Sequence, residues 1–134
     1  MERTLVLIKP DATKRGIVHK ILGRLERKGL QPSYFKMWNN APLDLIKEHY
    51  AEHKGRIYFE RLCTFMTSGT LYCLIYEGDE IIASVRKLIG DKLTLGTIRG
   101  DLTIDNTKNL IHGSDKIESA YRETNLWINY QRKK

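Results

Sequence analysis

Cysteine is scarce in this chain: 134 residues contain two, Cys63 and Cys73. Neither stands in a CxxC or zinc-finger spacing, which excludes a disulfide framework and a zinc ribbon. Their apolar neighbours suit buried free thiols and a reducing compartment. No apolar run approaches the ~20 residues of a membrane-spanning helix, and Leu5–Ile8 is too short for the core of a secretory leader. A cytoplasmic location is therefore expected, in a host cytoplasm if the source is viral, with no membrane partner. Linkers rich in proline, glycine and serine are missing, as are repeats, so residues 1–134 are expected to form one domain. The chain also lacks the G-x-x-x-x-G-K-[ST] phosphate loop, the G-x-G-x-x-G dinucleotide turn and the G-x-S-x-G nucleophile elbow. Any phosphate bound here must be held by other means.

What the chain has is positive charge. Its 23 Lys and Arg against 16 Asp and Glu leave a net +7. Such a surplus favours anionic partners, whether nucleotides, nucleic acid, acidic lipid or acidic protein, and it serves solubility equally well. Arg132, Lys133 and Lys134 supply part of it and read as a frayed tail. Hydrophobic residues at 41% and charged residues at 29% are ordinary for a globular domain.

Periodicity orders the elements. Thr4–Ile8 reads as a buried strand that Pro10 stops. Asp11 is expected to cap a helix with an apolar stripe of Ile17, Val18, Ile21, Leu22 and Leu25, ended by Gly29. Gln31–Trp38 reads as a strand, Tyr34 and Lys36 alternating with Phe35 and Met37. Pro42 opens a helix carrying Leu45, Ile46, His49, Tyr50 and His53. A further helix runs through Ile57, Leu62 and Cys63 to Met66 and stops at Gly69. Leu71–Tyr76 is a continuous apolar run, read as a central strand. Asp79 begins a helix with Ile81, Ile82, Val85, Leu88 and Ile89, closed by Gly90. A polar loop follows from Asp91 to about Asp101, then a short strand Leu110–His112, then a short helix behind a capping box of Asp115 and Glu118. This order suits an α+β sandwich of the split βαβ, ferredoxin-like type, an antiparallel sheet with helices packed on it.

One stretch imitates a metal motif. His49-Tyr50-Ala51-Glu52-His53 has H-x-x-E-H spacing, which on one helix face would let two histidines share zinc. So short a pattern arises easily by chance, and a surface or half-buried histidine pair is the preferred reading. A denser group lies downstream. Thr97-Ile98-Arg99-Gly100-Asp101 offers arginine and threonine on a glycine-bearing loop, suited to clamping phosphate. Asn109-Leu110-Ile111-His112-Gly113-Ser114-Asp115 places a histidine at a strand end. Neutral imidazole is a competent nucleophile near neutral pH. Taken singly, His112 would be read as plugging the end of a sheet.

Taken together, the segments resemble the nucleoside diphosphate kinases. Asn109–Asp115 matches that family's N-x-x-H-G-S-D signature. Arg3-Thr4-Leu5 through Ile8-Lys9-Pro10-Asp11 resembles its opening strand, Lys47-Glu48-His49-Tyr50 its KEHY helix, and Gly96–Asp101 its GTIRGD loop. The motifs follow the family's order from Arg3 to Trp127. The resemblance implies exchange of a terminal phosphoryl group between nucleoside tri- and diphosphates, ribo and deoxy, by a ping-pong route through phosphorylated His112. It implies that Glu123 fixes the tautomer of His112, with Tyr50 and Ser114 in support. Lys9, Arg86, Arg99 and Asn109 would hold phosphates and sugar. Tyr58 and Leu62 would flank the base, and Mg2+ would bridge the phosphates.

The chain departs from the family pattern in places. Tyr58 stands where phenylalanine is usual, its hydroxyl either biasing base choice or facing solvent. Lys116 stands where a small residue is usual. The loop from Gly90 to Gly96 is short, as in the giant-virus branch. That shortening leaves the phosphate-contacting threonine ambiguous, with Thr94 the choice made. It also stands against the family's hexamer, although a homo-oligomer is expected. A reading from another class is a basic nucleic-acid-binding module, motivated by the net charge and by Tyr34, Trp38, Tyr72 and Tyr76. It ranks second, because it leaves Lys9, Arg99, Asn109 and His112 unexplained.

Overall fold

The computed structural model describes residues 1–105 and 108–131; the expected frayed tail, Arg132–Lys134, lies outside them. Strand β1 (Glu2–Ile8) runs antiparallel to β3 (Leu71–Gly78), with Leu5 opposite Ile75 and Leu7 opposite Cys73. Strand β2 (Tyr34–Trp38) flanks β3, and the three-residue β4 (Ile111–Gly113) flanks β1, setting His112 opposite Leu7. The spatial order is β2-β3-β1-β4, every pairing antiparallel. This is the expected ferredoxin-like sandwich.

Side-chain alternation divides the core in two. Val6, Ile8, Leu74 and Tyr76 face one layer, built on α2 (Val18–Arg27) and α5 (Ile81–Ile89). Leu5, Leu7, Cys73 and Ile75 face the other, built on α3 (Leu43–His49), α4 (Phe59–Met66) and α7 (Ile117–Asn129). With both faces covered, the two central strands must be apolar at every position, which is why 5–8 and 71–76 read as continuous runs. His112 shares the face of Leu7 and so points at α3 and α7. Cys63 and Cys73 are buried free thiols. Among the described residues no helix is long and apolar enough to cross a membrane.

Several boundaries differ from the sequence expectation for identifiable reasons. The first helix is two: α1 (Pro10–Lys14) ends in a turn where Gly16 takes φ +69°, and α2 starts afresh after Ile17. Asp11 lies inside α1 rather than at its N-cap, which is Lys9, and its carboxylate accepts from the Leu110 N–H. The strand expected from Gln31 begins at Tyr34. Pro42 is the residue before α3 rather than its first, and Ile57 is fully exposed ahead of α4. Helix α5 starts from Glu80, at φ +51°, not from Asp79. The expected loop holds a short helix α6 (Ile98–Leu102), capped by Thr97, whose Oγ1 accepts from the Gly100 N–H at 3.0 Å. The last helix spans 13 residues rather than being short, and Lys116 occupies its N-cap without a side-chain bond. Asp115 instead accepts from Ser119, which keeps its carboxyl below the usual range.

Candidate active site

Two strand ends and the turn between them build the floor. Directly after β1, Lys9 donates its backbone N–H to the Leu110 carbonyl at 2.8 Å, while the Leu110 N–H donates to Asp11 Oδ2 at 3.0 Å. Leu110 is held at φ +75°, and the Ile111 N–H reaches back to the Asn109 carbonyl at 2.9 Å, which makes a γ-turn. A bulky residue at positive φ costs ~1–3 kcal/mol and persists only where its surroundings fix it; both backbone groups of Leu110 are tied down. The turn brings Asn109 beside Lys9, whose Nζ donates to Asn109 Oδ1 at 2.7 Å. Lys9 is 7% exposed. Burial first, then the charge of Arg99, lowers its amine to about 8, against the opposing pull of Asp11. Burial likewise raises the carboxyl of Asp11, against the Leu110 N–H and Lys9.

On β4, His112 Nε2 stands 3.0 Å from Glu123 Oε1 of α7, and the same oxygen accepts from Ser114 Oγ at 2.8 Å. Ser114 Oγ in turn accepts from the Leu5 N–H at 3.1 Å, tying the acid to β1. A carboxylate can only accept, so the imidazole proton belongs on Nε2 and Nδ1 keeps its lone pair. The ring of His49 stands edge-on to that of His112, centroids 4.8 Å apart. Trp127 Nε1–H donates to His49 Nδ1 at 3.0 Å. Burial, then the charge of His112, drives the pKa of His49 well below the ordinary value, so it stays neutral. Arg122 donates to the Glu48 and His49 carbonyls at 3.1 and 2.9 Å, closing the C-terminal end of α3. Packing at Gly113 is close: a Cβ there would meet Ile89 Cδ1 at 2.7 Å, so the end of that buried side chain would have to shift.

β4 is an edge strand, and its outer carbonyls position two arginines. Arg99 Nη2 donates to the Ile111 carbonyl at 2.7 Å and Arg86 Nη1 to the Gly113 carbonyl at 3.3 Å, one on each side of His112. Burial and then the charge of Arg86 lower the pKa of Arg99. Tyr50 is buried, its phenol pushed well up by desolvation and then by the charge of Glu123. Tyr50 Oη and Arg99 Nε are both buried without a hydrogen-bond partner. Unsatisfied polar atoms of this kind call for an explanation; here Tyr50 and Arg99 neighbour each other, with Glu123 beside the phenol and Arg86 beside the guanidinium.

The structure thus brings Lys9, Tyr50, Arg86, Arg99, Asn109, His112, Ser114 and Glu123 together. Thr94 is placed differently, its hydroxyl donating to the Asp91 carboxylate at 3.0 and 3.1 Å. A hollow of about 220 Å³ beside Arg99 and Asn109 is lined by Asp91, Lys92, Thr103 and Asp105. Of these, Lys92 and Thr103 carry no signal in the sequence, being a lysine and a threonine in a polar loop. Tyr58, exposed just ahead of α4, accepts the Leu62 N–H on its carbonyl at 3.0 Å, so the two side chains project one turn apart. Contacting rings lead outward from His112: His112 to His49, His49 to Tyr50 at 4.6 Å, Tyr50 to His53 at 6.0 Å, His53 to Tyr58 at 5.6 Å.

The H-x-x-E-H spacing does not make a metal pair. Helix α3 ends at His49, and His53 lies in the following 3-10 turn with its Nδ1 on the Tyr58 hydroxyl. Of the two, His49 is fully buried rather than at the surface. Among the described residues a different group has ligand spacing: His49, His112 and Glu123 offer atoms within 4.8 Å of one another. Each already serves a hydrogen bond, and two imidazoles suit a hard, oxygen-seeking ion such as Mg2+ poorly.

Comparison with known proteins agrees with this geometry. The family model described as nucleoside diphosphate kinase matches residues 2–132. A nucleoside diphosphate kinase of Acanthamoeba polyphaga mimivirus is 49% identical over 128 residues, covering 96% of this chain and 93% of its own. One from Rhodococcus opacus is 50% identical over 132 residues, covering 95% and 94%. The structure of a halophilic nucleoside diphosphate kinase from Halobacterium salinarum in complex with CDP superposes with a TM-score of 0.89 at 39% identity, over 96% of this chain and 88% of that one. The chain belongs to the nucleoside diphosphate kinase family.

Proposed function

We propose that the chain exchanges terminal phosphoryl groups between nucleotides by a ping-pong route through His112. Nδ1 attacks the terminal phosphorus of a nucleoside triphosphate. An N–P bond forms, the bond to the bridging oxygen breaks, and the diphosphate leaves with the electron pair of that bond. A second nucleoside diphosphate then attacks phosphohistidine with its own terminal oxygen, and Nδ1 recovers its lone pair. Throughout, the Nε2 proton stays on the Glu123 side, where the carboxylate stabilises the positive charge the ring gains. Ser114 holds Glu123 in place. Lys9, Arg86, Arg99 and Asn109 meet the charge on the phosphoryl oxygens, and Tyr50 Oη donates beside them. Tyr58 and Leu62 wall the base, ribo or deoxy. Thr94 reaches phosphate only by giving up Asp91.

Mg2+ carried by the nucleotide would neutralise phosphate charge during transfer. The chain's own contribution there is cationic, which suits a metal carried by substrate. The single domain, residues 1–134, works as a homo-oligomer in the cytoplasm; the buried thiols are in keeping with that compartment.

The observation that supports this reading best is the engagement of His112 through Nε2 by Glu123 at 3.0 Å, which leaves Nδ1 as the nitrogen with the lone pair, together with Arg99 Nε and Tyr50 Oη, buried without a hydrogen-bond partner among the described residues. To test it, the protein is mixed with ATP labelled on its terminal phosphate and magnesium, without acceptor. Label that survives alkali, is lost in acid and passes to added GDP is expected, and none on His112→Ala. Substantial turnover by His112→Ala would refute the mechanism.

A further inference from the structure

Tyr58 offers a hydroxyl at a position where a plain ring would serve for stacking. That hydroxyl meets His53 Nδ1 at 2.7 Å. Glu52 Oε1 lies 3.8 Å from the other ring nitrogen, Nε2, which favours the proton there and leaves Nδ1 to accept from the phenol. The bond spans a short exposed loop in which Gly55 takes φ +87° and Ile57 is wholly in solvent. The bond restrains the exposed Tyr58 ring against sweeping through its rotamers. His53 itself is held from behind: its N–H donates to the Tyr50 carbonyl at 2.8 Å, and its ring contacts that of buried Tyr50.

We propose that His53 is the positioning residue of the base-binding wall: by accepting from the Tyr58 hydroxyl it holds that ring ready to stack, and so sets affinity for the nucleoside half of the substrate. The inference rests on the reading of Tyr58 and Leu62 as the base cleft. It gives the tyrosine hydroxyl a task inside the protein, neither biasing base choice by direct contact nor facing bulk water. A ring fixed before binding loses less freedom on binding, and one hydrogen bond is worth roughly a three- to tenfold change in affinity.

The test compares wild type, His53→Ala, His53→Asn, Tyr58→Phe and the double variant His53→Ala/Tyr58→Phe. Two readouts are taken: the dissociation constant for ADP, and KM and kcat for exchange. The inhibition constant of inorganic tripolyphosphate with magnesium, which has no base, is the control. His53→Ala and Tyr58→Phe should each weaken ADP about three- to tenfold, with the loss in exchange falling on KM rather than kcat. The double variant should be no worse than either single one. His53→Asn, whose amide reaches the place of Nδ1, should recover most of the loss, and tripolyphosphate should inhibit all variants alike. ADP affinity unchanged in His53→Ala, additive losses in the double variant, or an equal loss toward tripolyphosphate would each overturn the role of His53. Wild type that binds no ADP would overturn the base cleft itself, and the inference with it.

Discussion

Lys9 shows how one buried charge ties local structure to chemistry. Burial lowers its amine to about 8, so the ammonium proposed to meet phosphate is present below that pH and lost above it. In the free enzyme kcat/KM should therefore hold from pH 7 toward 8 and then fall, approaching tenfold per unit well above it. At saturating nucleotide the fall should come later, since bound phosphate raises the pKa. A pH series of kcat/KM for ATP checks this, and a flat profile to pH 9.5 would exclude the assignment. Gly113 makes the same point sterically. Gly113→Ala places a methyl 2.7 Å from Ile89 Cδ1 in the core, which should cost ~1–3 kcal/mol in urea unfolding and lower activity by displacing His112. His112, Lys9 and Arg99 were visible in the sequence as motif residues. The turn at Leu110 was not, because a leucine at positive φ gives no signal of its own. Nor was the role of Asp11, whose partner lies 99 positions away.

At the scale of elements, hydrophobic period carried the prediction well and boundary chemistry carried it badly. The strand runs 4–8 and 71–76 and the α2 and α5 stripes were readable because burial imposes their spacing. Asp11, Asp79 and Asp115 all looked like helix caps, and each was turned to another use or displaced by a neighbour. Local cap signals lose where a distant backbone group competes for the same carboxylate. The contact between α7 and α3 was equally hidden. Arg122 donates to two α3 carbonyls, and Trp127 Nε1–H sets the tautomer of His49. Arg122→Ala should lower stability by roughly 1–2 kcal/mol. On the proposed mechanism it should also reduce the rate of His112 phosphorylation by loosening His49 against His112. Urea denaturation and single-turnover labelling read the two effects; a loss of stability with an unchanged labelling rate would separate α3 closure from catalysis.

The whole molecule raises the question of what its net charge of +7 recognises. The aromatics that suggested a nucleic-acid platform do not form one. Tyr76 belongs to the core on one face of the sheet and Trp38 to the core on the other, with Tyr72 and Tyr34 packed against those same layers. Trp38 is engaged edge-on by Trp127 and Tyr130. The cations around His112 are of a different kind from the surface charge. Lys9 is almost fully buried, and Arg86 and Arg99 are anchored on β4 carbonyls. On the proposed reading such a group receives a terminal phosphate, whereas an internal phosphodiester carries a nucleoside on both sides. Surface charge is screened beyond about 8 Å at physiological salt, and binding that depends on it weakens steeply as salt rises. A single-stranded oligonucleotide should therefore bind detectably at low salt and lose most of that affinity by ~0.15 M. At that salt it should leave exchange between ATP and GDP uninhibited. Competitive inhibition of exchange by an oligonucleotide blocked at both ends, persisting at that salt, would show instead that the polymer backbone enters the His112 site.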